Sequence, residues 1–209
     1  MRSAFFLGIA LALLVGCSSV GEIRITRDDF KNITLLNLDL IHETQETETS
    51  GIVSKSFQGY FEYSRELGPT EKKPIKVRVG LSVGASSENF SPKGFLRIDE
   101  STFPLELTDI SGNVLSGVST GTAYGTTYGT TNGFVDYSKP NYNSRVTTVS
   151  TYNYKRLTGN FLLPRELEKN ILTCDKLIYR IYVGDSSYTF SVDSSDLDTL
   201  KDFLVSRGQ

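Results

Sequence analysis

Strict alternation over Ile75–Gly84 constrains this chain more than any other stretch. Ile75, Val77, Val79, Leu81 and Val83 share one parity, and Lys76, Arg78, Gly80, Ser82 and Gly84 share the other. Successive side chains of a strand point to opposite faces, so this run reads as a strand with one face in a core. The same period recurs upstream. Leu36, Leu38 and Leu40 alternate with Asn37, Asp39 and Ile41, and Val53, Phe57, Phe61 and Tyr63 share parity on the next run. Ser50-Gly51 marks a turn between them, so residues 34–63 read as a long hairpin. Gly68 to Pro74 reads as a polar loop. Phe95 to Ile98 and Leu105 to Ile110 read as a further pair of strands around a short polar turn.

The character changes after Pro164, which suits the first turn of a helix. Leu167, Ile171 and Cys174 recur at helical spacing. Leu177, Tyr179, Ile181 and Val183 alternate as a strand, Gly184-Asp185-Ser186-Ser187 turns, and Tyr188, Phe190 and Val192 return. Ser194 or Ser195 can cap a last helix carrying Leu197, Leu200, Phe203 and Leu204 on one face. The expected fold is α+β: a mainly antiparallel β-sheet or open sandwich with two short C-terminal helices. Residues 31–209 read as one domain, with Val77, Val79, Leu81, Ile181 and Phe203 in its core.

The first residues are of another kind. Arg2 precedes an apolar run from Ala4 to Val15, the length of a signal-peptide h-region and short of the roughly 20 residues of a membrane-spanning helix. Leu14-Val15-Gly16-Cys17, followed by Ser18-Ser19, resembles the lipobox of bacterial lipoproteins. The resemblance covers residues 1–19 alone. It implies cleavage before Cys17, a diacylglycerol on the cysteine sulfur and often an amide-linked acyl chain. It makes 1–16 a signal peptide and 17–30 a lipidated N-terminus and tether, which enters the fold near Ile23 and Ile25. Two such lipid signals suffice for stable membrane residence. Ser18, where an aspartate is absent, implies the bacterial outer membrane by similarity to enterobacterial lipoproteins, with periplasmic and surface faces both open. The alternative is an ordinary secretory signal with an incidental cysteine.

Balanced charge, −2 over 209 residues, offers no basic surplus for nucleic acid. Cys17 and Cys174 are the two cysteines. If the first is lipidated, the second has no intramolecular partner and reads as a small buried hydrophobe.

One segment stands apart. Glycine recurs every fourth residue at Gly117, Gly121, Gly125, Gly129 and Gly133, with Thr, Tyr and Ser between, and only Asp136 and Lys139 are charged from Ile110 to Ser144. A helix would stack those glycines at about 1 kcal/mol each against alanine. A strand with Val146 to Tyr154 as its partner and Tyr137 to Ser144 as a mobile tip fits better. Residues 117–144 therefore read as an insertion extending from the core, either a mobile hairpin or a low-complexity loop. Its functional alternatives are a tyrosine-lined recognition surface and self-association through an uncharged edge. Tyr124, Tyr128, Tyr137 and Tyr142 are the candidate binding residues.

Catalytic patterns fail on order. Gly80-Leu81-Ser82-Val83-Gly84 and Gly117-Val118-Ser119-Thr120-Gly121 both fit G-x-S-x-G, which needs a strand-to-helix turn and a later histidine. The single histidine, His42, precedes both, and Ser82 lies inside an alternating strand. His42 reads as structural. Too few histidines and cysteines remain for a zinc site of the usual kind. Asp193, Asp196 and Asp198 lack the glycine and distal glutamate of an EF-hand, and the last two suit a helix N-terminus. Glu43, Glu46 and Glu48 read as solvated, as does the basic patch of Lys72, Lys73, Lys76 and Arg78. No cofactor is expected. The sequence reads as a lipid-anchored envelope protein acting as a non-catalytic binding or scaffolding module. Its partners are the membrane through Cys17 and an envelope protein or polysaccharide. The alternative is an envelope-polymer hydrolase using a carboxylate pair that the sequence does not single out.

Overall fold

The computed structural model describes residues 20–44, 48–50, 53–68, 73–131 and 134–207, with the backbone alone for 48–50, 53–55, 123–131 and 134–146. The strands are β1 (Ile23–Asp28), β2 (Ile33–Glu43), β3 (Glu48–Ser50), β4 (Val53–Lys55), β5 (Gln58–Leu67), β6 (Ile75–Gly84), β7 (Phe90–Ile98), β8 (Ser101–Glu106), β9 (Thr108–Thr131) and β10 (Phe134–Leu163). Helix α1 (Arg165–Thr173), strands β11 (Leu177–Val183) and β12 (Ser186–Val192) and helix α2 (Ser194–Val205) complete the chain. The molecule is mainly antiparallel β-sheet with two helices. A six-stranded sheet runs β1-β2-β5-β6-β10-β9 and curls into a half barrel. A second sheet runs β12-β11-β7-β8. Its β12 touches the end of β2 through a bridge between Phe190 and Thr44.

The alternating runs bury the faces that their parity requires. Leu36, Leu38 and Leu40 of β2, Phe61 and Tyr63 of β5, and Ile75, Val77 and Val79 of β6 are fully buried. Each such side chain contributes about 1.5–3 kcal/mol through the apolar area it removes from water. They meet the inner face of the second sheet. The Phe61 ring lies 4.9 Å from Tyr179 and 5.5 Å, edge-on, from Phe190. The Tyr63 and Tyr179 hydroxyls hydrogen-bond at 3.1 Å, which satisfies two polar atoms inside the core. Gly59 permits the close approach of β5 to β12, since a Cβ there would stand 2.6 Å from the Phe190 ring.

The helices close the remaining side of this core. Leu167 and Ile171 of α1 and Leu197, Leu200, Phe203 and Leu204 of α2 are buried. Buried Arg65 joins three elements: it pairs with Glu168 of α1 and donates from Nη1 to the Leu204 carbonyl at 3.2 Å. That carbonyl lies in the last turn of α2, where backbone acceptors lack intrahelical donors. Lys201 donates to the Cys174 carbonyl at 2.8 Å and fastens α2 to the end of α1.

Several boundaries differ from the sequence reading. Residues 23–28, within the expected tether, form β1 and pair with β2. The partner of β7 is Ser101–Glu106, because Asp99 adopts a positive φ of 49° and lets the chain reverse in two residues. Asp99 Oδ1 also accepts from the backbone N–H groups of Asp175 and Lys176, at 3.0 and 2.9 Å. Residues 108–110, assigned in the sequence reading to that same hairpin, start β9 instead. Gly184, at φ +55°, shortens the later turn so that β12 resumes at Ser186. Pro164 occupies the N-cap of α1, one residue ahead of its first turn. The cap of α2 is Asp193, not a serine; its side chain accepts from the Asp196 N–H at 2.9 Å. A carboxylate there satisfies a free donor and also meets the positive end of the helix dipole.

Candidate functional site

Strands β9 and β10 form the most unusual feature. Tyr154 pairs with Gly84 at the end of β6 on one side and with Leu115 on the other. Beyond that point β9 and β10 pair only with each other, through Ser116↔Asn153 out to Thr131↔Phe134. At about 3.3 Å per residue, the ribbon reaches about 50 Å past the six-stranded sheet. The strand alternative for the glycine-rich segment therefore describes its backbone, and Val146 to Tyr154 is its partner. The tip assignment is corrected, because pairing runs on through 137–144 with register shifts at Asp136/Pro140 and Asn141/Ser144.

Cross-strand pairs give the ribbon two faces. Val118 pairs with Thr151 and Val149 with Thr120, and Val114 shares that face. These three valines are 59 to 67% exposed, so apolar side chains stand open to water on a face otherwise made of Ser, Thr, Asn and Lys. On the other face, Tyr152 lies across Gly117, where a Cβ would collide with its ring. The Tyr154 ring stands 6.0 Å from that of Tyr152. An aromatic side chain covering a bare cross-strand glycine supplies packing that glycine cannot.

The sheet edges differ in their protection. Edge strand β1 carries Arg24, Arg27 and Asp28, β8 carries Pro104 and Glu106, and β12 is covered at Phe190 by the Thr44 bridge. Charge, proline and coverage are the usual means of blocking strand addition. β9 carries neither charge nor proline from Ile110 to Thr131.

Among the candidate tyrosines, Tyr124 and Tyr128 lie on β9, opposite Arg145 and Pro140. Tyr137 and Tyr142 lie on β10 within its two register shifts. Their side chains fall outside the described residues, as do Cys17 with the whole of residues 1–19, Glu46 and Lys72. Val114, Val118, Val149 and Tyr152 were missed by the sequence reading, although the parity of β9 and its pairing with 146–154 could have indicated them.

The residues weighed for catalysis are scattered. His42 faces the core from β2, beside Leu36, Leu38 and Leu40 in parity. Its ring packs at a tilt, 5.1 Å from that of Phe61, and Nδ1 lies 3.3 Å from Asp196 Oδ2. Burial holds its pKa down at about 4, against the opposing pull of the Asp193 charge. Nε2 is buried with no hydrogen-bond partner. Burial and the Asp193 charge raise the Asp196 pKa. The Asp193 carboxylate is held low by the Asp196 N–H, the Ser195 hydroxyl and the nearby His42. Ser82 is exposed on the opposite face of the same sheet from His42, and Ser119 lies out on the ribbon opposite Ser150. Neither serine meets the histidine.

Several of the other charged groups singled out in the sequence are paired. Lys73 bonds Glu66, and Arg78 stands 4.0 Å from Glu62, so the basic patch is partly neutralised. Glu43 accepts from Gln58 at 3.2 Å. Asp39, expected on an exposed face, is buried beneath Arg24, which binds it at 2.5 Å. Tyr60 bonds the same carboxylate. Burial and that negative charge push its phenol up to about 12. Among the described residues, no group of three acidic, histidine or cysteine side chains is placed to hold a metal ion, and no helix is long and apolar enough to cross a membrane. The chain matches no family model, no curated protein and no solved structure.

Proposed function

We propose that this is a lipid-anchored bacterial envelope protein of the outer membrane, with a non-catalytic binding or scaffolding domain whose recognition element is the β9–β10 ribbon. The anchor rests on the lipobox-like Leu14-Val15-Gly16-Cys17. The ribbon carries the functional reading. Two strands alone are marginally stable in water. A ribbon about 50 Å long, with exposed valines on one face, gains most when a partner covers it. The unguarded β9 edge offers main-chain donors and acceptors to a partner's strand, and alternate side chains give selectivity. The sealed histidine and its separation from Ser82 and Ser119 favour a binding role over hydrolysis by a serine–histidine pair.

A photo-crosslinking side chain placed at Val118 or Val149 of the anchored chain in native envelopes tests this. Leu162, also exposed at 60% but on the body of the sheet, is the control. Discrete adducts from the two ribbon positions and none from Leu162 are expected. Equal labelling at all three, or none on the ribbon, would refute the ribbon as the recognition element.

A further inference from the structure

The second sheet carries a separate depression on its outer face, lined by none of the ribbon residues. Antiparallel register sets Arg97 of β7 opposite Ile178 of β11, and Phe95 opposite Arg180. The two arginines are thus diagonal neighbours on one face, about 7–8 Å apart at Cα. Ile178 and Thr189 are buried at 4% and 5% exposure and form the floor, while Phe95 and Tyr182 flank it with rings edge-on at 6.2 Å. The depression, open on its outer side, holds about 350 Å³, within the size range of small-molecule sites.

The charge is unbalanced here. No acidic residue lines the depression, and neither arginine has an ion-pair partner among the described residues. Three other guanidinium groups are matched, Arg24 by Asp39, Arg65 by Glu168 and Arg27 by Asp29. Arg180 donates from Nε to Thr189 Oγ1 at 3.0 Å, which fixes the plane of its guanidinium and leaves both Nη groups available. A planar fork held in place is suited to bidentate capture of an oxyanion. The apolar floor and the two rings would touch nothing of a bare inorganic ion, so the ligand also needs a ring-sized body.

We propose that this depression binds a small ring-bearing carboxylate, its carboxylate between Arg97 and Arg180 and its ring between Phe95 and Tyr182. The aromatic walls accept either an aromatic ring or the C–H face of a sugar ring, so both sources of the same chemistry are to be compared. The reading is independent of the ribbon.

The test is calorimetric titration of the full chain in detergent micelles with phenylacetate and with glucuronate, against phenylacetamide, glucose and inorganic phosphate. Saturable binding of at least one carboxylate, at least tenfold tighter than its neutral counterpart and than phosphate, is expected. Which acid wins identifies the source. Arg97→Gln should weaken that binding at least tenfold, Arg97→Lys should restore part of it, and Arg78→Gln on the other sheet should leave it unchanged. Failure of both acids to saturate, equal binding of acid and neutral probe, tighter binding of phosphate, or an Arg97→Gln affinity within twofold of the parent would overturn the proposal. An unchanged melting transition in Arg97→Gln, whose guanidinium has no ion pair to lose, separates lost binding from lost folding.

Discussion

His42 shows how a single residue inside a core can set a pH dependence. It follows Leu36, Leu38 and Leu40 at even positions, so strand parity alone carries it inward, and that much is legible in the sequence. Its electrostatic setting is not, because Asp193 and Asp196 come from the far end of the chain. The consequence is a pH dependence of stability. The folded pKa of about 4 lies below the ordinary 6.5, so between these values the unfolded chain binds a proton that the folded chain excludes. The stabilisation is complete above pH 6.5 and is lost as pH falls toward 4, amounting to about 3 kcal/mol. The low Asp193 pKa acts in the same direction at lower pH, and the raised Asp196 pKa opposes both. Urea unfolding between pH 4 and 7 should therefore show a fall in stability with acid that is much reduced in His42→Gln. Parallel curves for parent and variant would assign the acid sensitivity to other groups.

At the scale of elements, local signals were read well and distant ones poorly. The parity of β2, β5, β6 and β11 follows from residues two apart, and the apolar stripes of α1 and α2 from residues three and four apart. Register shifts in the ribbon, the burial of Asp39 and the burial of Arg65 depend on which strands become neighbours, which no local pattern states. Arg65 is the clearest case. It stands one step past Tyr63 in the same inward parity, yet it is a guanidinium. It is tolerated because Glu168 and the Leu204 carbonyl both reach it. Arg65→Ala would remove the countercharge from a buried carboxylate and a donor from the end of α2, and should destabilise the fold by about 3–5 kcal/mol. Because the pair joins β5 to both helices, hydrogen exchange should rise first in α1 and α2. A loss below about 1 kcal/mol, the range of exposed pairs, would mean that the pair contributes little to docking the helices.

For the whole molecule, the two sheets and two helices account for a core that the ribbon does not share. Among the described side chains, the buried residues of β10 begin at Leu157, Ile110 of β9 is partly buried, and from Ser116↔Asn153 outward the two strands pair only with each other. Glycine repetition and low charge made this segment stand out in the sequence. Whether it formed a hairpin or a loop was not legible there, because a ribbon needs a specific partner strand and the alternation of Thr, Gly and Tyr has no strong apolar face to choose one. The folded domain should therefore be separable from the ribbon, the arm proposed for recognition.

The most direct measurement removes the arm. Ser116 and Asn153 are a register pair, so deleting 117–152 and joining them through Asn-Gly closes a short hairpin on the existing sheet. Closure entropy changes slowly with loop length, so little stability should be lost. The variant should melt within a few degrees of the parent and lose the partners of the cross-linked adducts proposed for Val118 and Val149. A variant that fails to fold cooperatively, or one that keeps those partners, would contradict the assignment of recognition to the ribbon.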